Sequence, residues 1–303
     1  IYHGTHNVQT DTACNSYEWH DVTYTTSGTY TYAYMNAVVP ERLGLILWCV
    51  ALSLFLYVAV RHSTMTRYQQ IFIFWFCAHE LLTALFMQQF NIAIAAIIVL
   101  AFFLIEKERD GTAAFFIVLG ILTKLYGVVG LAFFFFSKHK LRFALWFFAW
   151  LAVLFVLPML ISSPDYITGQ YQAWLTDLVE KNGENANEIA QNISLLGMTH
   201  RVTGLTFSDL WLIVPAFLMF LVPYIRFSQY KHTAFRQTLL ASVLMFVVLF
   251  STGSESSGYI IPFVGIVIWY TAAPWKRTGW DIALLIFAFV LSSLSPSDLF
   301  PRS

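Results

Sequence analysis

Long apolar runs separated by short polar clusters occupy the chain from Leu43 onward, whereas Ile1 to Arg42 is polar and rich in Thr, Tyr and His. A bilayer core needs about 20 predominantly apolar residues per helix. The runs Leu43 to Val60, Ile71 to Met87, Ile92 to Ile105, Leu141 to Ile161, Leu210 to Ile225, Leu239 to Phe250, Tyr259 to Ala272 and Ile282 to Leu294 are therefore read as membrane helices with soft ends. A second polar stretch, Ser163 to Ser208, carries Trp174, several acids and the Asn/Glu-rich tract Lys181 to Gln191. The predicted organisation is an external polar segment over 1–42, a transmembrane block over 43–162, an external loop over 163–208 and a second transmembrane block over 209–303.

Charge orients these elements, because short cytoplasmic linkers collect Lys and Arg. Arg61 to Arg67, Lys138 to Arg142, Arg226 to Arg236 and Lys276 to Arg277 fall inside on this criterion, and the polar stretches and the turn Ser251 to Gly258 fall outside. With Glu106 to Asp110 also inside, Ala113 to Phe136 begins and ends on one face, which a single span cannot do. Two half-length helices broken among Gly120, Gly127 and Gly130 resolve the parity, each arm of about 11 residues reaching about half of a roughly 30 Å core. The competing reading makes this segment continuous, puts Glu106 to Asp110 outside and makes Ile92 to Ile105 irregular. The hairpin over 113–136 is preferred, since irregular backbone inside a membrane lines cavities.

Composition agrees with a membrane protein. Only 11% of the 303 residues are charged, against about 25% in soluble domains, and 58% are hydrophobic, so much of the surface must face lipid. Lys+Arg and Asp+Glu both number 17, which removes the case for nucleic acid as a partner. The three Cys, of which Cys49 and Cys77 lie in apolar runs and only Cys14 in a polar one, support no disulfide framework. Ile1 is neither an initiator Met nor the start of a signal peptide, and an N-terminal piece is expected to be missing.

Lys124 is an ionisable group flanked by apolar residues, costly in lipid unless functional. At the tip of a broken helix its ammonium suits a phosphate; the alternative is snorkelling to an interface. His79-Glu80 interrupts another apolar run as a buried pair, a proton relay or a packing contact. Gln88-Gln89-Phe90-Asn91 sits at a predicted external turn, where amides can bind sugar hydroxyls. In Asn192-Ile-Ser194-Leu-Leu-Gly197-Met-Thr-His200-Arg201, Arg201 can clamp a phosphate bidentately, and Asn192-Ile-Ser194 is formally a glycosylation sequon. Glu255 is the carboxylate of Ser254-Glu255-Ser-Ser-Gly-Tyr259; an exposed loop acid is its alternative reading. A Gly-rich nucleotide loop, HExxH, zinc spacing and a nucleophile elbow are all missing from the sequence.

Together these stretches resemble glycosyltransferase family 87, polytopic enzymes of GT-C type similar to polyprenol-phosphate-mannose-dependent mannosyltransferases. The resemblance covers nearly the whole chain. It rests on an aromatic-rich external segment followed by Pro40-Glu-Arg-Leu-Gly44, on Gln89-Phe-Asn91 beside the family's GQxN turn, and on Lys124-Leu-Tyr126 where the family often has Lys-Leu-x-Pro. Asn192-x-Ser194-x-x-Gly197 with Arg201 is similar to the NxSxxG motif, and Ser254 to Tyr259 occupies the place of a polar active-site turn.

The resemblance implies an all-α polytopic membrane protein, a GT-C-like bundle of about 8 to 10 transmembrane helices with one broken or re-entrant hairpin. It implies inverting transfer of a hexose, most often mannose, from a polyprenyl-phosphate sugar to a hydroxyl of a lipid or glycan acceptor at the external face of the plasma (inner) membrane. Lys124 and Arg201 would bind the donor phosphate; Gln89, Asn91, Asn192, Ser194, Ser254, Glu255 and Tyr259 would bind sugar or acceptor. The family's catalytic aspartate is expected upstream of Ile1, with Glu255 and Asp21, then Asp11 and Glu18, as substitutes. No cofactor is expected, and a divalent metal requirement is left open. The rival reading is a secondary transporter or a lipid-linked-sugar-handling membrane protein without transferase activity.

Overall fold

The computed structural model describes residues 41–187, 192–204 and 207–294, and among these every regular element is helical. In chain order they are α1 (Glu41–Arg61), α2 (Arg67–Phe76), α3 (Ala78–Phe86), α4 (Asn91–Glu106), α5 (Asp110–Thr123), a 3-10 helix (Leu125–Phe136), α6 (Lys140–Val156) and α7 (Pro164–Asn187). There follow α8 (Leu195–Thr203), α9 (Leu210–Leu221), α10 (Thr233–Leu249), α11 (Ile260–Ala272) and α12 (Gly279–Phe289), the last continued as a π-helical turn over Val290–Leu294.

The predicted apolar runs all fall on helices, so the chain is an all-α membrane protein. Leu43–Arg61 and Lys140–Leu160 are long and apolar enough to cross a membrane alone. The run expected to be one span from Ile71 to Met87 is instead two helices, α2 and α3, bent by 51°. Sharp bends usually mark Pro, Gly or an inserted group; neither Pro nor Gly occurs there. The bend goes with tertiary contacts: α3 buries Glu80 and packs on the turn Ser256–Gly258. The remaining apolar helices have 10–17 residues, less than the roughly 30 Å of a hydrocarbon core at about 1.5 Å per residue. The stretch read as an external loop is largely helical too, since α7 and α8 lie in it; α7 is polar along most of its length, which hid it from a search for apolar runs.

Contacts divide the chain into two units. The first holds α1 as far as Ala59 together with Gln88–Asn187, and its centre is a hairpin formed by α5 and the 3-10 helix. The arms run antiparallel in a constant register. Gly120 faces Gly127 and Ile117 faces Gly130, and the hydroxyl of Ser137 donates to Asp110 Oδ1 at 3.0 Å. A 3-10 helix has three residues per turn and about 2.0 Å rise, so Gly127, Gly130 and Phe133 form one straight stripe, and all three are buried. The arm must be this thin and this regular because a Cβ on Gly127 would lie 2.2 Å from the Gly120 carbonyl carbon.

The hairpin therefore begins at Asp110 rather than Ala113, and its arms reach farther than half-length α-helices. Twelve residues of 3-10 helix advance about 24 Å at about 2.0 Å each. Its tip, Lys124, meets Asn91, the first residue of α4. α4 packs on both arms, is apolar all round and is buried along nearly its whole length, with the Phe102 ring edge-on to Phe133 at 5.2 Å.

At the other end the hairpin is pinned to α6. Asp110, 2% exposed, accepts from Arg142 Nε at 3.0 Å and Nη2 at 2.6 Å, while Trp150 Nε1 donates to Gly111 O at 3.0 Å. Beside it Lys138 Nζ donates to Glu108 Oε1 at 2.6 Å, and that hydrogen bond holds the Glu108 carboxyl below the usual range.

The second unit holds Val60–Met87 and the residues from 192 onward. α10 and α11 form its most extensive helix pair; a Cβ on Gly265 would lie 2.9 Å from Ala241 O, so these backbones approach through a small residue, as membrane helices do. Phe76 ties α2 to this pair and to α12, with ring centroids 5.5 Å from Phe263 and 5.3 Å from Phe289.

Two expectations follow. Gly127→Ala puts a methyl against backbone that cannot yield, whereas at Gly130 the obstruction is the Ile117 side chain at 2.8 Å. Overpacking costs typically about 1–3 kcal/mol; Gly127→Ala is expected at or above the top of that range and Gly130→Ala near the bottom, read as apparent melting temperature and monodisperse yield in detergent. The second concerns the pin. Arg142→Ala leaves a buried carboxylate uncompensated, at about 3–5 kcal/mol, while Asp110→Ala leaves an arginine whose side chain is 48% exposed and costs about 1–3 kcal/mol. Equal losses in the melting comparison would show that the pair is not the anchor.

Candidate functional site

In the first unit the candidate residues converge on the hairpin tip. α5 stops at Thr123 because Lys124 adopts an extended conformation, φ −153° and ψ 127°, before the 3-10 arm begins. Lys124 Nζ donates to Asn91 Oδ1 at 2.7 Å and lies over the Tyr126 ring, 4.9 Å from its centroid. Asn91 is 1% exposed, so the amide is a fixed part of the floor that aims the ammonium. The turn before it contains Gln88 at φ 54°, a left-handed conformation uncommon outside glycine, and Phe90, stacked on Trp48 at 5.9 Å. Gln89 is half-buried in the same turn. Lys124, Asn91 and Gln89, named separately from the sequence, thus belong to one place.

The first unit also holds an apolar groove of about 610 Å³ lined by Leu122, Phe148, Leu151, Phe155, Tyr171 and Trp174. Its wall is formed where α7 leans on α6: the Tyr171 ring stacks on Phe155 at 4.4 Å, and its hydroxyl donates to Phe155 O at 2.8 Å. Leu122, in the last turn of α5, is the residue of the hairpin that lines the groove. Sequence reading missed this groove. The signal available was the spacing of Ile167, Tyr171, Trp174 and Leu178 on one face of a helix otherwise polar.

In the second unit the two polar stretches meet. Ile193 N donates to Ser254 O at 3.0 Å, and the Tyr259 hydroxyl donates to Ile193 O at 2.7 Å. The residues Asn192, Ser194 and Gly197 build the start of α8. Ser194 Oγ accepts from Gly197 N at 3.2 Å as an N-cap, Asn192 Oδ1 accepts from Ser194 N at 3.2 Å and from its hydroxyl, and a Cβ on Gly197 would lie 2.2 Å from Asn192 O. Arg201 reaches back over this turn, its Nε donating to Gly197 O at 3.1 Å and its Nη2 to Asn192 O. The Ser254 hydroxyl donates to Val248 O, and Ser254 is buried, whereas Glu255 is exposed and accepts a long 3.5 Å bond from Ser257.

The arrangement thus sorts the predicted residues. Asn192, Ser194 and Ser254 direct polar atoms at the backbone of the cluster itself, and Arg201, Tyr259 and Glu255 stand on it. Adjacent to Arg201, His200 Nε2 lies 2.7 Å from Asp209 Oδ1, a pair that the sequence motif did not single out. Asp11, Glu18 and Asp21 lie outside the described residues.

Comparison with the curated proteins and with the solved structures gave no match. The sequence model described as glycosyltransferase family 87 matches residues 23–252, well over half of the chain, and takes in the hairpin, its tip and the α8 turn. By that match the chain belongs to glycosyltransferase family 87 and is a membrane glycosyltransferase.

Proposed function

We propose that the protein transfers a hexose, mannose in the first instance, from a polyprenyl-phosphate sugar to a hydroxyl of a lipid or glycan acceptor, with inversion, at the external face of the plasma (inner) membrane. The observation that carries this reading is the hairpin tip, an ammonium oriented by a buried amide, in a unit that also holds an apolar groove reaching Leu122 of the same hairpin. That combination suits an anion carried on a hydrocarbon chain. Lysine presents three donors on a compact charge, so phosphate oxygens can join Asn91 around it while the isoprenoid lies against Phe148, Leu151 and Phe155. A lipid-borne sugar also accounts for a sequence without a nucleotide loop.

In this reading Lys124 stabilises the phosphate as the bond to the anomeric carbon breaks, where charge develops and fixed cations contribute most. Arg201 is the second candidate cation. In the first unit Gln89 and Asn91, in the turn before α4, are the candidates for contacts to the sugar; in the second unit the candidates for contacts to sugar or acceptor are Tyr259 and Glu255, beside the α8 start that Asn192 and Ser194 hold in shape. Glu255 and Asp21 remain candidates for the carboxylate that activates the acceptor.

Two experiments test the reading. Purified full-length protein is expected to transfer sugar from a polyprenyl-phosphate hexose and to ignore nucleotide sugars; transfer from a nucleotide sugar in lipid-free detergent would overturn the donor assignment. Lys124→Met is expected to lose about 2–4 kcal/mol of barrier stabilisation, on the order of a hundredfold or more in rate, with Lys124→Arg retaining more. Near-normal turnover and donor affinity in Lys124→Met would move the phosphate role to Arg201.

A further inference from the structure

Three of the basic linkers meet at one end of the second unit. α2 and α11 run antiparallel, since the Phe72 ring lies 6.1 Å from Tyr270 while Phe76, one turn further on, lies 5.5 Å from Phe263. α10 and α11 are antiparallel too, with Gly265 facing Ala241, Leu244 and Met245. The starts of α2 and α10 and the end of α11 therefore share a level, although residues 61–67, 226–236 and 276–277 stand far apart in sequence. The 3-10 segment Phe227–Lys231 is held there by Arg236, which donates to Tyr230 O, and by the Tyr230 ring, 6.2 Å from Phe235.

The cations at this end fall into two groups. Three are fixed by neutral neighbours: Arg61 donates to Gln70 Oε1 at 2.8 Å, Arg236 reaches Tyr230 O, and Arg277 donates to Ala273 O at 3.2 Å while lying 5.2 Å from the Tyr270 ring centroid. The other four, Arg67, Arg226, Lys231 and Lys276, are exposed and, among the described residues, make no hydrogen bond or ion pair. The sole carboxylate in the segments 61–72, 222–240 and 272–281 is Asp281, whose Oδ2 accepts from the Thr278 N–H at 2.7 Å and hydroxyl at 2.9 Å. Seven Lys and Arg thus stand against one carboxylate, itself bound into the cap of α12. The linkers of the first unit differ: Glu106, Glu108 and Asp110 are interleaved with Lys107 and Arg109, and Glu108 and Asp110 pair with Lys138 and Arg142.

Clustered like charges repel one another, so this end is complementary to anions supplied from outside. Tyr68, Trp275 and Trp280 are exposed around it, and Tyr and Trp gather at the headgroup level of a bilayer. We infer that this end of the second unit docks the headgroups of anionic phospholipids, with Arg67, Arg226, Lys231 and Lys276 engaging the net negative charge. The occupant is bilayer lipid because the free cations are spread over three linkers among aromatic residues of the interfacial type. The role is independent of which sugar or donor the enzyme uses.

The test uses the full-length protein reconstituted in phosphatidylcholine bilayers with a trace of spin-labelled lipid, and reads the association of phosphatidylglycerol relative to phosphatidylcholine from the motionally restricted fraction. Wild type is expected to prefer phosphatidylglycerol by roughly fivefold, the worth of one Lys or Arg near an anionic surface. The preference is expected to shrink between about 0.01 M and about 1 M NaCl, as the Debye length falls from about 30 Å to about 3 Å. Combining Arg67→Gln, Arg226→Gln, Lys231→Gln and Lys276→Gln is expected to bring the ratio close to one, whereas Lys107→Gln with Lys140→Gln, in the linkers of the first unit, leaves it in place. A wild-type ratio near one, or a loss as large in the first-unit variant, would overturn the assignment. So would inorganic phosphate that abolishes the preference where NaCl of the same ionic strength does not, because the site would then take a soluble anion. If the combined variant does not accumulate as monodisperse protein, Lys231→Gln and Lys276→Gln are measured singly, and an unchanged ratio in both refutes the docking surface.

Discussion

Gly120 and Gly127 let two backbones approach more closely than any Cβ would permit, and the placement of the first unit's chemistry follows from that contact. With the arms in touch, the register from Asp110–Ser137 through Ile117–Gly130 to the tip is set, and Lys124 emerges where Asn91 can receive it. The Arg142–Asp110 pair holds the far end. A cation is thus held between a rigid hairpin and the first turn of a buried helix, the preorganisation that electrostatic stabilisation of a leaving group requires.

Much of this was legible in the chain. Apolar runs located the helices, and the parity of Lys and Arg required a broken element between Glu106 and Lys138. The bend at Cys77 is not legible, because it goes with contacts made by residues distant in sequence, the burial of Glu80 against Ser293 and the packing of Ser256–Gly258 on α3. The reach of the hairpin has a local cause: its second arm advances by about 2.0 Å per residue rather than the α-helical value of about 1.5 Å, and Gly127, Gly130 and Phe133 repeat in it with a period of three. Lys124 consequently reaches the first residue of α4.

The polar motifs divide along similar lines. Asn192 and Ser194, in a motif that continues to Gly197, read as sugar- or acceptor-binding residues through their resemblance to NxSxxG. Their hydrogen bonds explain the same residue types as parts of an N-cap, with the glycine required by the carbonyl of Asn192. Arg201 and Tyr259 are held by this framework through backbone carbonyls. Residue type alone cannot separate a group that builds a turn from one that the turn presents, since both need oxygen or nitrogen at the same spacing.

The 3-10 arm behaves as a ruler as well as a wall. Rewound as α-helix, its 12 residues would shorten by about 6 Å, and each step of three residues would swing by about 60°. The straight glycine stripe would become a spiral, and the ammonium would withdraw from α4 by about the length of its own side chain. Insertion or deletion of one residue in this arm is therefore a change of gauge: it alters depth and azimuth together, and no side-chain replacement elsewhere in the hairpin can restore both.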